Sequence, residues 1–321
     1  MSRRSPPHCR SHRIAPWCLL ALGLTQAMAA TAYASPGASA TVECQAVPSS
    51  ILRREVNVCV ALPADYASST NTRYPTLFFL HGLFENERSW SERGGQQVLE
   101  ELRSQKEVGQ FLVVLPDGRK TFYVNSLDGG DRYEDFITRE LIPAIDGKYR
   151  TFADPRARGI SGTSMGGYGA LHLAMRHPGV WGSASAHSAV LVPKIPNPLP
   201  TEGRWGFYAR ILQGPFGSPL SERYWEANNP LTMAEHPNEF RNLKLYFDCG
   251  DHDRYGFEEG AKLLDRILSS KGFPHEFVLR SGDHGWTYLR QYLKFSLLFH
   301  WRCFEQAERS LTASVPEGGG P

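Results

Sequence analysis

The sequence predicts an α/β fold, with a mostly parallel central sheet flanked by helices. Strand-length apolar runs alternate with longer helical patterns along most of the 321 residues, and no Ser/Gly-rich linker or run of like charge divides residues 40–305. The composition, 41% hydrophobic and 21% charged, is that of a globular chain with a sizeable core. It excludes a collagen, a coiled coil and a disordered polymer. Six cysteines are too sparse for a small disulfide scaffold, and a formal charge of +2 offers no basic footprint for nucleic acid.

In chain order, Arg3, Arg4, Arg10 and Arg13 precede an acid-free apolar stretch from Ile14 to Ala30, the pattern of a secretory signal peptide. Ala32-Tyr33-Ala34 supplies a small-x-small cleavage site before Ser35. Residues 1–34 are therefore expected to be removed and the mature protein secreted or periplasmic. The apolar run is shorter than a spanning helix requires and is broken by Thr25 and Gln26, so no integral membrane segment is expected after cleavage. Cleavage removes four arginines and no acids, turning the formal balance from +2 to −2. Cys44, Cys59, Cys249 and Cys303 would then sit in an oxidising compartment. A bridge between Cys44 and Cys59 is open, as are free buried thiols. No CxxC pair or Cys/His cluster suggests a metal.

Ala40–Val47 and Glu55–Leu62 read as neighbouring strands. Thr76–Leu80, Phe111–Leu115, Ala157–Ile160, Val180–Ala186, Leu243–Phe247 and Glu276–Leu279 continue the sheet. The segments 97–105, 132–148, 166–176, 257–270 and 285–304 carry helical patterns, several closed by Gly or Pro. Residues 190–230, with seven prolines and the aromatics Trp205, Phe207, Tyr208, Phe216, Tyr224 and Trp225, read as an irregular excursion at a substrate cleft. One domain over residues 35–304 is expected, followed by a disordered tail over 305–321.

Gly162-Thr163-Ser164-Met165-Gly166 is a G-x-S-x-G sequence between a strand and a helix, the context in which a serine is held on a sharp turn at a helix N-terminus. A serine hydroxyl needs a histidine base, and the base needs an orienting carboxylate. The strand-like Leu243–Phe247 runs into a turn containing Asp248, Asp251 and Asp253. Asp253, three residues past Gly250, is the expected acid, with Asp251 in reserve. His284, in the loop between the last strand and the last helix, is the expected base. His81, His187 and His252 remain alternatives for substrate contact. An oxyanion would be received by backbone amides of Met165, after the serine, and Leu83, in the loop after Thr76–Leu80. Trp90 and Trp286 are candidate substrate contacts, with Trp205 a further aromatic that could line the site.

Leu80-His81-Gly82-Leu83 with Trp90, Leu115-Pro116-Asp117-Gly118, Tyr133-Glu134-Asp135-Phe136, the run Ser161 to Leu171, Ala227-Asn228-Asn229-Pro230-Leu231 and Asp283-His284-Gly285-Trp286 together resemble the esterase D family. That family includes S-formylglutathione hydrolases, feruloyl esterases and the antigen 85 mycolyltransferases. The resemblance spans about residues 45–300 and implies the α/β-hydrolase fold, a cofactor-free Ser-Asp-His triad, and oxyanion donors at Leu83 and Met165. It implies a serine carboxylesterase acting on a small-molecule or polysaccharide-linked ester. An exported acyltransferase using the same triad is the alternative, and a non-catalytic binding protein the remote one.

Overall fold

A computed structural model describes residues 41–313 except 197, 198 and 201. The expected signal segment 1–34 and the end of the expected tail, 314–321, lie outside the described residues.

Among the described residues there are eight strands, β1 (Val42–Ser49), β2 (Arg54–Ala61), β3 (Thr76–Leu80), β4 (Leu112–Pro116), β5 (Arg158–Gly162), β6 (Ser183–His187), β7 (Lys244–Gly250) and β8 (Glu276–Arg280). They form one sheet in the order β1-β2-β4-β3-β5-β6-β7-β8. β2 pairs antiparallel with both β1 and β4, and the other neighbours are parallel. β3 to β6 are buried along their whole lengths, which is why they read as unbroken apolar or small-residue runs rather than alternating ones. The strand order reverses direction between β3 and β5. Their carboxyl ends therefore flank the crevice where parallel α/β sheets place ligands.

The helices are α1 (Ser89–Glu92), α2 (Gly95–Ser104), α3 (Tyr133–Phe136), α4 (Ile142–Lys148), α5 (Met165–Arg176), α6 (Gly203–Phe216), α7 (Glu222–Asn228), α8 (Pro230–Met233), α9 (Phe257–Ser270) and α10 (Trp286–Ala313). The single helix expected over 132–148 is instead α3, a π-turn over Ile137–Leu141, and α4. Pro143, which cannot donate to the preceding turn, makes the wider turn reasonable. The excursion over 190–230 is mostly helical, a correction to the irregular loop. Ser221 and Asn229 cap α7 and α8 through their side-chain oxygens, and Pro230 opens α8 where its missing N–H costs nothing.

Leu289, Leu293, Leu297 and Phe304 of α10 pack with Phe79, Leu99, Val113 and Leu115 in one of the two apolar cores. The helix continues to Ala313, so the boundary expected at 305 falls within it. Ala307 is still buried and Glu305 pairs with Arg309 at 2.9 Å, and residues 305–313 are helix rather than tail. Among the described residues no helix is long and apolar enough to cross a membrane. Cys44 and Cys59 face one another in the β1–β2 register and are bonded, while Cys249 and Cys303 are free.

Candidate active site

Ser164 stands between β5 and α5 at φ 57°, ψ −116°, a region that non-glycine residues enter only when the surroundings enforce it. The enforcement is visible on both sides. A Cβ on Gly162 would come within 2.3 Å of the Gly166 carbonyl oxygen, and one on Gly166 within 1.9 Å of the Leu80 carbonyl oxygen. The two glycines allow α5 to begin directly against the end of β3. Ser164 N–H donates to the His187 carbonyl at 2.9 Å, and the Ser164 carbonyl receives Tyr168 N–H at 3.0 Å and Val190 N–H at 3.2 Å. The hydroxyl is thus carried on a backbone fixed from β6, from the loop after it and from the helix.

The loops after β7 and β8 are pressed together at Gly250, where a Cβ would lie 2.4 Å from the Asp283 carbonyl oxygen. This approach brings Asp253 to His284. His284 Nδ1 is 2.7 Å from Asp253 Oδ2, and the Asp253 side chain is fully buried. Asp253 also receives Tyr255 N–H at 2.9 Å and the Cys249 thiol at 3.7 Å. With Nδ1 donating to a carboxylate, the neutral ring carries its lone pair on Nε2. The His284 ring is held edge-on by Tyr255 and Phe257, with centroids at 4.9 and 5.5 Å. Asp251 faces elsewhere, receiving Gly282 N–H at 2.9 Å and His252 at 2.7 Å. Burial raises the Cys249 thiol far above its ordinary range, and the Asp253 charge adds to the effect, so Cys249 stays a neutral donor.

Ser164 and His284 line one cleft, together with Leu83, Met165, Glu85 and Trp286. Among the described residues, neither Leu83 N–H nor Met165 N–H has a protein acceptor. The Leu83 loop is held from behind: His81 Nδ1 lies 2.7 Å from the Gly82 carbonyl, His81 Nε2 receives Gly118 N–H at 2.8 Å, and Tyr123 hydroxyl donates to the His81 carbonyl at 3.0 Å.

Of the two tryptophans proposed as substrate contacts, Trp286 lines the cleft and Trp90 does not. Trp90 is 1% exposed, its ring 4.7 Å from Phe79 and its N–H on Gln96, and it belongs to the core beneath α10. Trp205 packs on Tyr208 outside the cleft. His81 and His187 are buried in support of the site, and His252 is exposed beside Asp251. The serine–histidine contacts of His300, to Ser183 and Ser185 at 2.8 Å each, are wholly buried with no carboxylate on the ring, and are structural. Phe207, named in the excursion expected at the cleft, lines it, whereas sequence reasoning missed Phe84, Glu85, Phe122, Tyr255 and Phe257. Only proximity to the motif loops in sequence could have flagged Phe84 and Glu85.

A sheet in this order with a serine on such a turn defines the α/β-hydrolase class. The family described as "Putative esterase" matches residues 49–299, and the chain belongs to it. An esterase of Mycobacterium tuberculosis (strain H37Rv) is 35% identical over 249 residues, covering 71% of this chain and 52% of the relative. An endo-1,4-beta-xylanase/feruloyl esterase of Xylanibacter ruminicola is 33% identical over 136 residues, covering 39% of this chain and 19% of that one. The chain therefore spans about half, or less, of these relatives' lengths. A solved ferulic acid esterase superposes with TM-score 0.71 at 26% identity, covering 83% of this chain and 99% of that chain.

Proposed function

We propose that this chain is an exported serine carboxylesterase. Ser164 attacks the ester carbonyl while His284 Nε2 accepts its proton. The carbonyl oxygen becomes an oxyanion received by Leu83 and Met165 N–H. His284, held by Asp253, returns the proton to the leaving alcohol, and water then cleaves the acyl-serine by the same route in reverse. The observation that carries the reading is the buried Asp253–His284 contact opening onto the cleft that holds Ser164 and two unpaired amides.

The cleft's aromatic lining suits an apolar or aromatic acyl group, in keeping with the feruloyl esterase relatives. The Cys44–Cys59 bond accords with an oxidising compartment. The test is hydrolysis of p-nitrophenyl esters from acetate to palmitate and of methyl ferulate by the wild type and Ser164→Ala. The variant is expected to stay folded and to lose on the order of 10⁶ in kcat. Turnover retained by folded Ser164→Ala would reject the mechanism.

A further inference from the structure

The turn after β3 carries a carboxylate that the triad does not use. Glu85 folds back so that Oε2 receives Gly82 N–H at 3.0 Å, while Oε1 receives the Trp286 indole N–H at 2.7 Å. One end of this link is the N–H of Gly82, the residue before Leu83, and the other is two residues beyond His284. Gly82 sits against the nucleophile, for a Cβ there would lie 3.6 Å from Ser164 Cβ and 3.4 Å from Glu85 Oε2. The Gly82 carbonyl is held by His81 Nδ1 at 2.7 Å and by Glu85 N–H at 3.3 Å. In a trans peptide the following N–H points opposite to that carbonyl, so this clamp sets the direction of Leu83 N–H.

We infer that Glu85 is a positioning residue which locks the oxyanion loop to the histidine loop. The inference rests on the triad proposed above. Two N–H donors converge on it from separate loops, so both acceptor oxygens of a carboxylate are required. A glutamine offers one acceptor and one donor, and cannot satisfy Gly82 and Trp286 together. Its amide must leave one end of the link open or oppose two donors. The interaction is made with the free enzyme and shapes the site for the oxyanion, which exists only after attack. Its loss should therefore appear in kcat and leave KM nearly unchanged.

The test uses the full chain and p-nitrophenyl acetate, with Ser164→Ala, Glu85→Gln, Trp286→Phe and the double variant, each checked for folding by its thermal midpoint. Glu85→Gln is expected to lower kcat about 10- to 100-fold with KM within about threefold, since misplacing one oxyanion donor costs no more than removing it. Without the indole donor, glutamine can turn its oxygen to Gly82. The double variant should then be no slower than Trp286→Phe alone, and this non-additivity reports the bridge itself. Fully additive losses, wild-type kcat in Glu85→Gln, or a rise in KM at unchanged kcat would each overturn the inference. Glu85→Ala is unsuited as the sole variant because it also empties the turn. Activity retained by Ser164→Ala would overturn the triad instead, so the two failures are distinguishable.

Discussion

Asp251 and Asp253 stand two residues apart on one loop, and their environments separate them. Asp253 is buried, with His284, Tyr255 N–H and Cys249 on its oxygens. Asp251 is part-exposed and holds Gly282 N–H and His252, which keep its carboxyl below the usual range. Asp253→Asn should lower kcat by roughly 10⁴, because an amide cannot hold the Nδ1–H tautomer. Asp251→Asn keeps an acceptor for Gly282 and should cost less than about tenfold. Comparable losses in the two variants, measured as kcat on p-nitrophenyl acetate, would reject this assignment of the acid. In the sequence, the order of serine, acid and histidine points to this loop, and the position past Gly250 favours Asp253 while leaving Asp251 in reserve. Trp90 and Trp286 were not separable that way, since both follow motif loops. Their fates depend on whether the ring meets Phe79 under α10 or reaches Glu85 at the cleft, which only the packed sheet decides.

At the scale of elements, every strand was legible within a few residues, because strand-length runs bounded by turn residues alternate with longer helical patterns along the chain. The segment 190–230 was not, because prolines and glycines that signal loops also fit helix starts and last turns. Pro230 opens α8, and Pro215 stands next to the end of α6. The Ser221 and Asn229 caps were the readable counter-signal. The β1–β2 hairpin permits a direct test of what fastens the antiparallel edge. The Cys44–Cys59 bond closes a separation of 15 residues, and loop-closure entropy assigns it about 3 kcal/mol. Cys44→Ser/Cys59→Ser should therefore lower the urea-unfolding free energy by that order while leaving kcat of the folded protein unchanged, since neither residue lines the cleft. An unchanged urea midpoint would show that strand pairing alone holds β1.

Across the whole molecule, the sheet is joined to α10 partly through buried polar side chains, and these make the fold sensitive to acid. His300 is fully buried, with Ser183 hydroxyl 2.8 Å from Nδ1 and Ser185 hydroxyl 2.8 Å from Nε2. Ser185 spends its proton on Ser161 at 2.8 Å. It must therefore accept from Nε2–H, and the neutral ring accepts from Ser183, so every group is satisfied without a charge. Burial, reinforced by nearby His187, pushes the His300 pKa down to about 3. The unfolded chain takes up this proton near pH 6.5, whereas the folded protein refuses it until about pH 3. Between those limits the unfolded state binds more protons, so stability falls as pH falls, by at most about 1.4 kcal/mol per pH unit from this group. Glu134 adds a second loss at lower pH. Burial opposes its ionisation, but the hydrogen bonds from His172 and His177 prevail and hold its carboxyl well below the usual range. That contribution is intact above the ordinary carboxylate pKa and fades only beneath it. Between roughly pH 5 and 6 Glu134 is silent, but Glu308, raised to about 7 by burial and by the nearby Glu305 charge, works against the histidine, so His300 is isolated by comparison with its own variant. The slope of urea-unfolding free energy against pH should be more positive in the wild type than in His300→Asn, by at most about 1.4 kcal/mol per pH unit, whatever the variant's absolute stability. Parallel pH slopes for the two proteins would mean that the sheet–helix junction accommodates a charged ring.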